Sequence, residues 1–104
     1  MAWIVLVVSG VMESVWATAL GKSEGLSRLP ASITFFVALA ASMAGLAYAM
    51  RSLPTGTAYA VWVGIGATLT VVYAMATGAE AASIAKIIFI VMIVAGVIGL
   101  KLAH

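Results

Sequence analysis

Charge is almost absent from this chain, and its placement dictates the fold. Five basic and three acidic residues are spread over 104 positions. All but Glu13 fall at or beside the ends of four long apolar stretches. A stretch of about nineteen helical residues spans about 28 Å at 1.5 Å per residue, close to the hydrocarbon thickness of a bilayer. Inside a membrane the backbone must satisfy its own hydrogen bonds, so each stretch is expected to be a helix. Soluble domains carry about 25% charged residues; here the figure is 8%, with 65% hydrophobic residues. The expected fold is an all-α membrane protein of four transmembrane helices, over residues 2–20, 30–50, 57–77 and 84–103, forming one domain across 1–104.

Local signals set these boundaries. Gly21 is the expected C-cap of the first helix, and Gly25 lets the polar segment Gly21 to Leu29 turn. Pro30 suits a first helical turn, where its missing N–H is no loss. Pro54 and Gly56 break the chain between the second and third helices. Ser83 is the expected N-cap of the fourth. Ala17-Thr18-Ala19 resembles a signal-peptide cleavage site, but Met1-Ala2-Trp3 has no basic residue and Glu13 interrupts the apolar run, which argues against cleavage.

Glu13 is the exception that demands an explanation. It lies near mid-membrane, where a charged side chain costs about 2.5–3.5 kcal/mol on insertion scales. Such a carboxylate needs water, a cation, a donor or a proton. Ser9, Gly10, Trp16 and Ala17 stand three or four positions from it and share its face. Gly10 and Ala17 leave room. Trp16 brings an apolar wall and one N–H donor. From other helices, Ser42 can offer a hydroxyl, Tyr59 a phenol and Trp62 an indole. Each has a plainer reading: packing for Trp16, a bond to its own helix for Ser42, and an interfacial aromatic belt for Tyr59 and Trp62. Burial favours the protonated acid, whereas donors and cations favour the carboxylate. One acid can therefore hold a proton or a cation, but not both, which is the elementary chemistry of proton-coupled antiport.

Small residues mark packing faces. Thr34, Ala38, Ser42, Gly45 and Ala49 form one stripe on the second helix, and small stripes let membrane helices approach closely. Gly64 and Gly66 are a candidate hinge in the third. Between Lys86 and Lys101 the fourth helix has no polar side chain, and Ala95, Gly96 and Gly99 are its candidate dimer-packing residues. Lys and Arg are nearly balanced between the two sides. Lys22, Arg28 and Lys86 stand against Arg51 and Lys101. The positive-inside rule needs a clear excess, so insertion in both orientations is expected, and with it an antiparallel, dual-topology homodimer.

Other chemistries have little support. The chain has no Cys, no Asp and one His, at its C-terminus, which argues against disulfides and a metal site. No nucleophile–base pair or phosphate loop is visible, so an enzyme is not expected. The scattered cations read as membrane anchors rather than a nucleic-acid patch.

These residues resemble those of the small multidrug resistance transporters. The resemblance covers essentially the whole chain: four spans, a lone Glu in the first, Pro-Thr-Gly-Thr-Ala-Tyr-Ala-Val-Trp at 54–62 and Gly-Ile-Gly at 64–66. Gly10-x-x-Glu13-x-x-Trp16-Ala17 and the closing Gly99-Leu100-Lys101 are similar to the guanidinium-exporter subtype. Drug pumps of the family typically carry Ala in place of Gly10 and lack the Trp at 16. The resemblance implies an antiparallel homodimer in a bacterial inner membrane that exchanges guanidinium for protons, with no cofactor beyond the coupling proton. It implies that Glu13 binds both substrate and proton, and that Gly10, Trp16, Ser42, Tyr59 and Trp62 line or support the site. Ser42 and Trp16 would hold the carboxylates, and Tyr59 would change partner as the dimer switches. The Ala-rich run from Ala38 to Ala49 bears on tolerance for alkyl-tailed cations. Two other readings compete: a broad exporter of quaternary ammonium drugs, and a non-transporting assembly subunit such as a proteolipid.

Overall fold

The computed structural model describes residues 1–103; His104 lies outside them. Four helices follow in order: α1 (Ala2–Lys22), α2 (Leu29–Ala49), α3 (Thr55–Ala76) and α4 (Ile84–Ala103). Each is long and apolar enough to cross a membrane.

The helix ends show where local chemistry overrides the simplest signals. α1 does not stop at Gly21. It runs through Lys22 and ends on Ser23, whose N–H reaches the Leu20 carbonyl at 3.2 Å. The buried Ser23 hydroxyl donates to Leu20 O at 2.7 Å and accepts from Leu26 N at 2.9 Å. The Ser23 carbonyl accepts from the N–H groups of Ser27 and Arg28. One serine thus organises the whole turn, which passes through the left-handed region at Glu24, Gly25 and Leu26. Only Gly25 adopts that conformation without steric cost. α3 begins immediately after Pro54, whose carbonyl accepts from Ala58 N at 2.9 Å. Gly56 is therefore inside the first turn of α3 rather than in the connection. Ser83 caps α4 as expected, accepting from Lys86 N at 3.1 Å.

α1 is the central helix and packs along both α2 and α3, while α4 packs against α3. The apolar core gathers where α2 turns into α3, around Leu6, Leu46, Ala49, Leu53, Val61 and Trp62. Helices come close where a glycine removes a methyl group. A Cβ on Gly45 would overlap the Ser9 hydroxyl, bringing α2 onto α1. One on Gly10 would stand 2.8 Å from Ile65 Cβ on α3, and one on Gly64 would stand 2.6 Å from Val97 Cγ2 on α4. The small stripe of α2 accordingly faces α1 at Ala38, Ser42, Gly45 and Ala49. Its first member, Thr34, is exposed and donates to the Pro30 carbonyl. α3 is one uninterrupted helix through Gly64 and Gly66. α4 has no buried residue, and Ala95, Gly96 and Gly99 all lie on exposed surface. Its far end meets α1 through Lys101, whose ammonium sits 5.2 Å from the Trp3 ring centre.

Candidate functional site

Glu13 lies in the crevice where α1 faces both partner helices. Its side chain occupies the space that a β-carbon on Gly66 would fill. One carboxylate oxygen, Oε1, is buried and has no hydrogen-bond partner among the described residues. No described cation pairs with Glu13, since the ion pairs are Arg28–Glu24 and Lys86–Glu80 at the helix ends. One turn along the same face, the Trp16 indole N–H is also buried and unpartnered. Orphaned buried polar atoms are rare in folded proteins. Here an acceptor and a donor of this kind stand three residues apart on one helix.

An aromatic wall borders this pair. The Trp16 ring lies 6.0 Å from Phe35, edge to face, and 6.4 Å from Trp62. Tyr59 continues the wall at 5.8 Å from Trp62. The expected aromatic pair divides into different environments: Trp62 is 5% exposed and part of the core, whereas Tyr59 is 54% exposed. Trp62 is therefore no belt residue.

Ser42 takes a different partner from the one expected. Its hydroxyl donates across the helix boundary to the Ser9 carbonyl at 2.8 Å and accepts from Trp62 Nε1 at 3.0 Å. Its single proton is thereby used on the α1 backbone, not on the carboxylate, and the Trp62 N–H is used on Ser42. The plainer alternative, a bond to its own helix, is also not what Ser42 does; Ser9 does that, donating to Val5 O. In an α-helix the carbonyl of Ser9 is the one that accepts from the N–H of Glu13. The chain Trp62–Ser42–Ser9 therefore grips the helical turn that carries Glu13. Gly10 on that turn packs against Ile65, so α3 holds it from the other side.

The structure thus gathers Gly10, Glu13, Trp16, Ser42 and Trp62 around one turn of α1, with Tyr59 at the rim. Gly66 joins them as the seat of the carboxyl group. Ser9 and Phe35 are additions. Ser9 had one signal in the sequence, its position four residues before Glu13. Phe35 also had one, since it stands three residues before Ala38 and seven before Ser42 on the stripe of α2 that faces α1, but a search for small residues passes over a Phe. Among the described residues no cluster of His, Cys, Asp or Glu has a metal-binding arrangement.

A sequence model of the Small Multidrug Resistance protein family matches residues 1–93. This chain belongs to that family. Similar relatives include proteins named guanidinium exporter from Yersinia pseudotuberculosis, 55% identical over 99% of both chains, and from Proteus vulgaris, 48% identical over 99% of both. A guanidinium exporter of Salmonella typhimurium is 47% identical, covering 99% of this chain and 98% of its own. The chain is therefore a small multi-pass membrane protein of this family, matched to these relatives from end to end.

Proposed function

We propose that this chain exports guanidinium from the bacterial cytoplasm across the inner membrane in exchange for protons, working as an antiparallel homodimer. The observation that carries the reading is the Glu13–Trp16 pair: among the described residues, a membrane-buried carboxylate without a counterion beside an unpartnered indole N–H. Intramembrane carboxylates are functional by default. The names and full-length similarity of the relatives point to the substrate.

Guanidinium is planar, permanently charged and bordered by N–H donors, so carboxylates take it through paired, charge-assisted hydrogen bonds. Its flat face suits contact with indole rings, where cation–π attraction is strongest. One chain supplies one carboxylate and one aromatic wall. A second copy in the opposite orientation supplies the matching set and closes the site. The near-balance of Lys22, Arg28 and Lys86 against Arg51 and Lys101 supports insertion both ways round. The outward Ala95–Gly99 face of α4 supports helix pairing between copies.

The cycle follows from exclusive occupancy. Protons reaching Glu13 from outside displace the cation, and guanidinium from inside displaces the protons. The Ser42–Ser9 bond keeps the carboxylate's backbone fixed while its occupant changes. Tyr59, exposed at the rim, is the ring free to change neighbours as the two copies exchange conformations.

The test is transport current from proteoliposomes on a solid-supported membrane. Guanidinium should evoke a current that Glu13→Gln abolishes. Proton-coupled current retained in Glu13→Gln would refute the central role of Glu13. A response only to a bulky quaternary ammonium ion would replace guanidinium with drug cations as substrate.

A further inference from the structure

A groove of about 750 Å³ runs along α1 on the face away from Glu13, between the start of α2 and the end of α3. Its α1 wall contains Val11, Val15 and Lys22. Val11 and Val15 each stand two residues from Glu13, about 200° around the helix. Leu69 and Val72 form the wall from α3. Val11, Val15 and Val72 are exposed apolar side chains on membrane-spanning segments, and the face they form lies opposite the Glu13 crevice. At the loop end, Lys22, Pro30 and Ala31 are shared with a second cavity of about 480 Å³, which also contains Glu24 and Arg28. An apolar channel thus opens into a polar chamber at the level where the hydrocarbon core ends.

The charges at this junction are unequal. Arg28 is held by Glu24, Nη1 to Oε1 at 3.9 Å. Among the described residues no carboxylate pairs with Lys22. Its ammonium rests 5.4 Å from the ring centre of Tyr73, which also borders the groove. That contact holds the cation over the junction and leaves its N–H donors for an anion.

We propose that this face seats an anionic phospholipid from the surrounding bilayer, with one acyl chain along Val11, Val15, Leu69 and Val72 and the phosphate on Lys22. Basic pockets between membrane helices favour anionic headgroups. An ammonium on a flexible stem suits phosphate as a point charge. The occupant is a lipid because the apolar channel and the cation are joined end to end, and a soluble anion uses only one of them.

Native mass spectrometry of the purified full chain, titrated with dioleoylphosphatidylglycerol and with dioleoylphosphatidylcholine, tests this without reference to transport. The anionic lipid should bind about fivefold more tightly than its zwitterionic counterpart, and Lys22→Gln should remove that preference. Ala76→Phe, which adds a ring at the exposed wall of the groove, should weaken both lipids while helicity measured by circular dichroism is unchanged. Equal binding of the two lipids, an unaltered preference in Lys22→Gln, or unaltered binding in Ala76→Phe would overturn the proposal. So would glycerol phosphate binding as tightly as the lipid, which would make the site one for soluble anions. The chain has no Cys, so Thr18→Cys places a single thiol in the groove. Spontaneous disulfide dimers of that variant in native membranes would put a second copy there and overturn the lipid assignment.

Discussion

Gly66 is the residue whose role is most visible in what it lacks. Its missing side chain is the space that Glu13 occupies, so Gly66→Ala forces the carboxyl group, or α3, to move. Overpacking of this kind costs about 1–3 kcal/mol, partly offset because Ala favours helix over Gly. The variant should insert as a stable helix bundle and lose most guanidinium current, which parallel thermal-denaturation and transport measurements distinguish. Ser42→Ala makes the opposite prediction. It leaves the Trp62 N–H without its acceptor and releases the Ser9 carbonyl, so stability should fall by about 1 kcal/mol. In a Trp62→Phe background, where that donor is already gone, the same change should cost less, and a double-mutant cycle reads the difference. The sequence shows Glu13, Trp16 and Gly10 as neighbours because spacing on one helix settles that. It shows Gly66 without a side chain but not which atom fills the gap, so a hinge is the natural expectation. It shows a hydroxyl at Ser42 but not that the nearest acceptor is a backbone carbonyl of α1. Contacts between helices depend on axial register, and no periodic pattern carries that information.

At the scale of the element, helices were legible to within about two residues, because membrane thickness and apolar length dictate them. Their ends were less so. Gly21 reads as a cap, yet Ser23 terminates α1 by bonding in both directions along the chain. Serine at a turn has many uses, and sequence alone does not rank them. α4 is the element least tied to its own chain, resting on α3 at Gly64, where an added β-carbon meets Val97 Cγ2 at 2.6 Å and Ile93 Cγ2 at 3.5 Å. Gly64→Ala should therefore loosen α4, seen as faster amide exchange in its backbone. Val97→Ala on top of it removes the clashing methyl groups and should restore protection. If the single variant leaves exchange unchanged, α4 is held by something other than this contact.

For the whole molecule, the governing fact is that one chain provides one acid at the candidate site, while a compact cation such as guanidinium is best held by two. The acid and the aromatic wall both belong to the face that a second copy would close, and this makes the number of carboxylates measurable. Under the proposed exchange, protons and guanidinium compete for Glu13, so acidification should weaken guanidinium binding; the sign follows because the protonated, neutral form offers no charge to the cation. Linkage sets the slope. In the pH range where the free site is fully protonated, each proton displaced raises the apparent Kd about tenfold for every unit the pH falls. A single carboxylate predicts a limiting slope of one decade per pH unit. Two carboxylates emptied together predict two. Isothermal titration of guanidinium against detergent-purified protein over a series of pH values reads this directly. The paired site requires the steeper limit, with no pH dependence of this kind in Glu13→Gln. A limiting slope of one would mean that one Glu13 carries the exchange, and the second copy would then contribute its aromatic wall without its acid.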